Sequence, residues 1–199
     1  MTDPIQDAAA AALAGELIVM PTDTVYGIGT RPDDPAATAR LFEAKGRPRE
    51  LELPVLVPSA GAARDVASFD ERAEVLVGRL WPGPLTIVLP RTDASRPWDL
   101  GGDPATVGVR MPHHPLALAV LARAGPLAVS SANRSGGPTP ADCDGLTRTF
   151  GDVVAVFLCQ DEPLAGRPST VVDLSHGEPR ILRAGTLAEG DVLAALDPA

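Results

Sequence analysis

Basic residues are scarce in this chain. Its 199 residues hold 17 Lys and Arg against 26 Asp and Glu, a formal charge of −9, and a protein that lives on nucleic acid by neutralising phosphates needs the opposite balance. No apolar run approaches the ~20 residues that span a bilayer. The opening "MTDPIQDAAAAALAGE" has neither the basic start nor the apolar core of a signal peptide. A cytoplasmic protein with no membrane partner is the expectation. Cysteine is nearly absent too: Cys143 and Cys159 lack CxxC spacing, which suggests neither a metal knuckle nor a disulfide framework and leaves them as core or incidental thiols. His113, His114 and His176 are not in metal-ligand spacing and read as surface residues, so no protein metal site is expected. GxxxxGK[ST], GxGxxG after a strand, and GxSxG are all missing, which excludes a P-loop, a Rossmann fingerprint and a nucleophile elbow.

What the chain has is enough apolar content, 45%, to bury one sizeable core, and residues 1–199 read as a single domain. Strand and helix signals alternate. Asp3 and Pro4 open a helix over 3–15 and "ELIVMP" reads as a buried strand that delivers "TDTVYGIGT". A helix follows from Asp34 to about Lys45, then a loop and the short strand "PVLVP". Ser59 and Asp70 can cap two more helices, the second ending near Trp81. "GPLTIVLP", "ATVGVRMP", "PLAVS", "VVAVFL", "STVVDL" and "PRILRAG" read as strands, with helices over 114–124 and 139–150 and a short one at the end. Prolines and glycines fall at these boundaries rather than in a linker. The pattern predicts an α/β (α+β) fold: a twisted, mixed sheet flanked by helices.

Polar groups gather where strands end. "PLAVSSANRSGGPT" breaks from aliphatic residues into Ser130, Ser131 and Asn133, then into a glycine and proline loop, with Thr139 and Pro140 as helix cap and first helical residue. Small donors at a strand's carboxyl end commonly face a ligand; they can equally be satisfying backbone groups of a turn. "KGRPR" puts Lys45, Arg47 and Arg49 within five positions, either an anion site or a solvated turn. Thr22, Thr24, Thr106, Arg110, Ser169 and Arg183 complete a scattered set that suits anion binding better than nucleophilic attack.

The strings "PTDTVYGIG", "KGRP", "WPGPLTIVLP", "VGVRMPHHP", "SSANRSGGPTP", "STVVDL" and "ILRAG", in this order over about residues 15–187, resemble the YrdC-like family, the threonylcarbamoyl-AMP synthases that act first in making N6-threonylcarbamoyladenosine in tRNA. The resemblance implies a single YrdC-like domain with an open concave groove. It implies that ATP, L-threonine and bicarbonate are the partners, that magnesium arrives with ATP, and that transfer proteins act downstream, tRNA contact being weak or absent. By that resemblance Lys45 and Arg47 serve the reacting centre. Arg47, Thr106, Ser131, Asn133, Thr139 and Arg183 serve ATP, while Thr24, Arg110, Val129 and Ser169 serve threonine. Arg110 would pair with the threonine carboxylate, because a guanidinium ending the apolar strand "TVGVR" needs a partner; an acidic side chain of the fold is the other candidate for that place.

The pattern departs from the family at "KGRPRELELPVLVPS". Leucine stands where an asparagine is expected, Pro58 falls at the place of a histidine, and the run is longer. The chain also resembles the short form of the family, without the extra C-terminal domain of longer relatives. Two other readings stay open: an RNA-binding module of the same fold, and an enzyme that forms a carbamoyl-adenylate from a different carbamoyl donor.

Overall fold

The computed structural model describes residues 3–162, 164 and 166–196. In chain order the elements are α1 (Pro4–Leu13), β1 (Leu17–Met20), β2 (Gly27–Thr30), α2 (Pro35–Lys45), β3 (Val55–Leu56), α3 (Ala60–Val66), α4 (Glu71–Leu80), β4 (Leu85–Pro90), β5 (Thr106–Arg110), α5 (Pro115–Ala124), β6 (Leu127–Ser131), α6 (Cys143–Phe150), β7 (Val154–Phe157), β8 (Thr170–Asp173), β9 (Arg180–Arg183) and α7 (Glu189–Ala194). Helix starts follow the capping chemistry. The carboxylates of Asp3, Asp34 and Asp70 and the hydroxyl of Ser59 accept backbone N–H bonds from the first turns of α1, α2, α4 and α3, which satisfies donors that a helix start leaves unpaired.

The strands form one mixed sheet in the order β7-β1-β2-β6-β3-β5-β4-β8-β9. Alternation along each strand sorts side chains to its two faces. Leu17, Val19, Val55 and Ala128 join the larger core with α2, α3, α4, α6 and α7. Ile18, Met20, Leu56, Leu127 and Val129 join a second core under α1 and α5. Helix α1 packs on β7, β1 and β2 and against α5. Over β4 and β5 that second face presents Thr86 and Arg110, which line a cavity. No helix among the described residues is long and apolar enough to cross a membrane.

Three elements differ from the sequence expectation. Strand β2 was not anticipated, because "GIGT" has a glycine at every second position and little strand propensity of its own. Its glycines are there for their neighbour: a Cβ at Gly27 or Gly29 would lie 2.6 Å from a methyl of Val129 on β6, so only glycine permits this pairing. Helix α6 begins at Cys143 rather than near Thr139, because Asp142 is the cap and accepts from Gly145 N at 2.7 Å. Thr139 and Pro140 stay in the loop. Lastly, Cys143 and Cys159 are not incidental thiols: they form a disulfide with Cα atoms 5.8 Å apart. Sixteen residues of sequence separate them, a distance that carries no signal until α6 folds back beside the end of β7.

Candidate active site

The chain leaves β1 at Met20 and crosses the cavity wall before entering β2, and this crossing brings three polar residues to the end of β5. Thr22 Oγ1 donates to Val25 O at 2.6 Å, so the 2.9 Å bond between the two hydroxyls runs from Thr24 to Thr22. Thr24 Oγ1 accepts in turn from Arg110 Nη1 at 3.0 Å. The order of these bonds leaves the Thr24 oxygen polarised by a cation on one side.

Arg110 is 5% exposed. Its Nε donates to Gly83 O at 3.0 Å and its Nη2 to Asp23 Oδ1 at 2.5 Å. The fold itself supplies an acidic partner for this guanidinium, the other candidate of the sequence reading. Burial holds the Arg110 pKa below its ordinary value, Asp23 opposes that shift, and Arg183 adds to it. A guanidinium has five N–H donors, so Arg110 still has one on each terminal nitrogen at the cavity wall. Asp23 Oδ1 also accepts from His113 N at 3.0 Å, while its Oδ2 is buried without a hydrogen bond.

Two further arginines reach the same cavity, whose volume is about 130 Å³. Arg183, on β9, donates from Nε and Nη2 to Ser169 O at 3.1 and 2.8 Å and from Nη2 to Ser169 Oγ at 3.0 Å. Ser169 Oγ also bonds Thr86 Oγ1 at 2.9 Å. Arg47 leaves the end of α2 and is held by Leu51 O at 3.0 Å and Glu52 O at 2.7 Å. Burial lowers the pKa of Arg47, and the like charge of Arg183 lowers it further. Thr24, Val129 and Ser169 line this cavity beside Arg47, Arg110 and Arg183. Among the described residues no carboxylate is in its lining, so three cations converge with hydroxyls in a chain whose net charge is −9.

A second cavity of about 400 Å³ adjoins the first and shares Val25, Ser131, Pro168 and Arg183 with it. Asn133 and Thr139 form part of its wall. Here the side chains of "SSANRSGG" satisfy groups of a turn that lies on the cavity wall. Ser131 Oγ donates to Asn133 Oδ1 at 2.5 Å, and Asn133 Nδ2 donates to the carbonyls of Arg134 and Gly137 at 2.8 and 2.7 Å. These groups shape the turn, and the turn faces the cavity.

Two anticipated residues are not brought to either wall. Lys45 is 2% exposed and lies behind the turn, its Nζ donating to Ser131 O at 2.5 Å and Asn133 O at 2.7 Å. Burial, with Arg47 adding, pushes its pKa down to about 8. Thr106 begins β5, four residues before Arg110, or ~13 Å along an extended strand, and its carbonyl accepts from Arg91 Nε. Asp23, Thr86 and Glu52 were missed. An acid flanked by threonines in "PTDTVYG" and one hydroxyl in the apolar run "PLTIVLP" were the available signals; nothing in the sequence marked Glu52.

The Sua5/YciO/YrdC family model, described as telomere recombination, matches residues 10–185. A protein of Mycobacterium tuberculosis is 44% identical over 185 residues, covering 92% of this chain and 85% of that one. The threonylcarbamoyl-AMP synthase of Chromohalobacter salexigens is 37% identical over 180 residues, covering 88% and 95%. Among solved structures, Sua5 of P. abyssi complexed with L-threonine superposes with a TM-score of 0.88 at 34% identity, covering 98% of this chain; the chain spans 58% of that longer one. With the nine-stranded sheet, the cavity and the ordered motifs all in place, the chain belongs to the Sua5/YciO/YrdC family.

Proposed function

We propose that this protein is a threonylcarbamoyl-AMP synthase, forming threonylcarbamoyl-AMP and pyrophosphate from L-threonine, bicarbonate and ATP. The observation that carries the reading is the convergence of Arg47, Arg110 and Arg183 on one small cavity continuous with a larger one. The first cavity suits an amino acid. The spare N–H groups of Arg110 and the hydroxyls of Thr24 and Ser169 can take its carboxylate and hydroxyl, and the Val129 side chain gives a methyl something to pack on. The second suits a nucleotide, with Ser131, Asn133 and Thr139 beside it and Arg183 between the two.

The chemistry needs no enzyme nucleophile. The threonine amine adds to the bicarbonate carbon and water leaves, giving a carbamate; a carbamate oxygen then attacks the α-phosphorus and pyrophosphate departs. A carbamate is labile, so the protein's task is to hold it dry, in line with phosphorus, among donors already aimed at the charge that develops. Arg47, fixed by two carbonyls rather than by an acid, keeps its charge for the phosphates. Lys45 acts from behind, holding the Ser131–Asn133 turn to its shape. Magnesium carried by ATP would neutralise phosphate charge. Among the described residues the two linings present arginines and hydroxyls, which fit an anion that would bring its own cation.

The same proposal covers residues 1–199 as one domain, a cytoplasmic site of action, and a downstream protein that transfers the threonylcarbamoyl group to a tRNA adenosine. Pyrophosphate release from ATP tests it. Release should require L-threonine and bicarbonate together, and serine, lacking a methyl worth ~1–3 kcal/mol in a fitted pocket, should support it more weakly by tens-fold. Equal release without threonine would refute the reading.

A further inference from the structure

We infer that the Cys143–Cys159 disulfide is a redox-controlled tie on the walls of the second cavity, and that its reduction weakens nucleotide binding there while leaving the first cavity as it was. The inference rests on reading the second cavity as the nucleotide site.

The placement carries it. Asn133, Gly137, Pro138, Thr139, Pro140 and Ala141 make one wall of that cavity, and Leu164, Gly166 and Pro168 contribute to the other. Cys143 follows the first group by two residues, and Cys159 precedes the second. The bond thus joins a residue two positions beyond one wall to a residue five positions before the other.

The two ends are held very differently. Around Cys159, Leu158 N donates to Val19 O on β1 at 2.8 Å, and Gln160 N donates at 3.2 Å to the hydroxyl of Tyr26, which itself lines the second cavity. His114 Nε2 meets Gln160 Oε1 at 2.7 Å. That end is tied to the edge of the sheet just beyond β7. On the other side, residues 134–138 and 141–142 are exposed. Among the described residues, Pro138–Ala141 has a single side-chain hydrogen bond, Thr139 Oγ1 to Asn133 Oδ1, stretched to 3.5 Å. Leu146 and Phe150 keep the body of α6 in the core. The start of the wall is anchored by Ser135 N to Lys45 O, Arg134 Nη1 to Ala44 O and Asn133 Nδ2 to Gly137 O, and the first turn of α6 by its Asp142 cap; the disulfide is the covalent tie between this side and the Cys159 side. The lining of the first cavity, by contrast, sits largely on strands and the β1–β2 crossing and does not depend on this bond.

Both cysteines are half-buried, so a reductant can reach the bond. A dithiol supplies the balance: the two cystine sulfurs take up two electrons and two protons to become thiols, and the reductant closes to its own disulfide. Disulfides in reducing compartments are usually transient and redox-sensing rather than structural. A loosened wall must be ordered again when nucleotide binds, and that ordering subtracts from affinity.

Calorimetric titration of ATP and, separately, of L-threonine into the purified protein tests this. The protein as isolated, the protein reduced with dithiothreitol, and Cys143→Ser would be compared, with free thiols counted in each. The expected result is no free thiol before reduction, an ATP Kd that rises ~10-fold on reduction and returns on reoxidation, and the weaker value in Cys143→Ser whatever the reductant. Threonine affinity should be the same in all three. An ATP Kd that does not change on reduction, or two free thiols in the unreduced protein, would overturn the inference while leaving the proposed function standing. Absence of ATP binding in every form would instead overturn the reading of the site, and this inference with it.

Discussion

Arg110 on β5 and Asp23 in the β1–β2 crossing form a buried ion pair, Nη2 to Oδ1 at 2.5 Å, with side chains 7% and 13% exposed. The pair joins two segments 87 residues apart in sequence and fixes a cation at the wall of the small cavity. Removing one member leaves the other charge buried and alone, which typically costs ~3–5 kcal/mol. Arg110→Ala is therefore expected to lower Tm markedly and, in the folded fraction, to raise the threonine KM by ten-fold or more through loss of a charge-assisted contact. Asp23→Asn keeps the shape and separates the roles. It should weaken threonine less than Arg110→Ala, with the ATP KM unchanged. Melting curves beside threonine titration decide it: a lower Tm with unchanged threonine affinity in both variants would mean that the pair is structural only.

Arg47 has no acidic hydrogen-bond partner among the described contacts; carbonyls at Leu51 and Glu52 aim it at the cavity. If it meets charge that grows on the phosphoryl and leaving oxygens, its loss must lower kcat as well as ATP affinity. Arg47→Ala should cost ~10²-fold in kcat, by analogy with a donor removed from a dry oxyanion site. Arg49, paired on the surface with Asp99, should matter little. Steady-state kinetics at saturating ATP check this, and near-normal turnover of Arg47→Ala would remove it from the chemistry.

Much of the fold was legible because local rules and tertiary demands agree. Asp3, Asp34, Ser59 and Asp70 announce helices at the positions where they cap them, and the aliphatic runs mark the strands. What was not legible depended on residues far apart. The glycines of β2 make sense only beside Val129, and the disulfide only once α6 lies against β7. The site divided the same way. Arg110, Arg183, Thr24, Val129 and Ser169 could be placed by motif and by strand ends, yet the partner of Arg110 is an acid that a bare string does not connect to it. Lys45 was singled out for the reacting centre, but its position behind the turn follows from the ends of α2 and β6 meeting in space.

Two buried groups with shifted pKa values give stability a shape in pH. The Glu52 carboxyl lies 3.7 Å from Arg91 Nη2, but its Oε1 has no hydrogen bond, and burial outweighs the attraction, raising its pKa from 4.5 to about 8. The fold favours the protonated acid, so that contribution is complete below pH 4.5 and is lost as pH rises through 8. Lys45 runs the other way. With its pKa lowered from 10.5 to about 8, its contribution is complete above pH 10.5 and is lost as pH falls through 8. The two together place a minimum of Tm near pH 8. Glu52→Gln should flatten the descent from pH 5 to 8, and Lys45→Met the recovery above it. A Glu52→Gln curve that keeps the wild-type slope would exclude Glu52 as its source.

The net charge of −9 and the absence of a carboxylate from the cavity walls separate small-anion binding from binding along a nucleic-acid backbone. ATP and threonine should bind with modest dependence on salt, whereas any association with tRNA should be weak at physiological salt and show a shallow slope of log K against log salt. Fluorescence titration at several salt concentrations measures this. A steep slope with tight binding would favour an RNA-binding role.

The most direct measurement follows the carbon of bicarbonate. Purified protein would be incubated with ATP, L-threonine and ¹³C-labelled bicarbonate, and the nucleotide products separated rapidly by mass. The expected product is a threonylcarbamoyl-adenylate that carries the label, formed in step with pyrophosphate and absent when threonine is left out. Pyrophosphate release with no labelled adenylate, or a labelled adenylate formed equally well without threonine, would contradict the assignment.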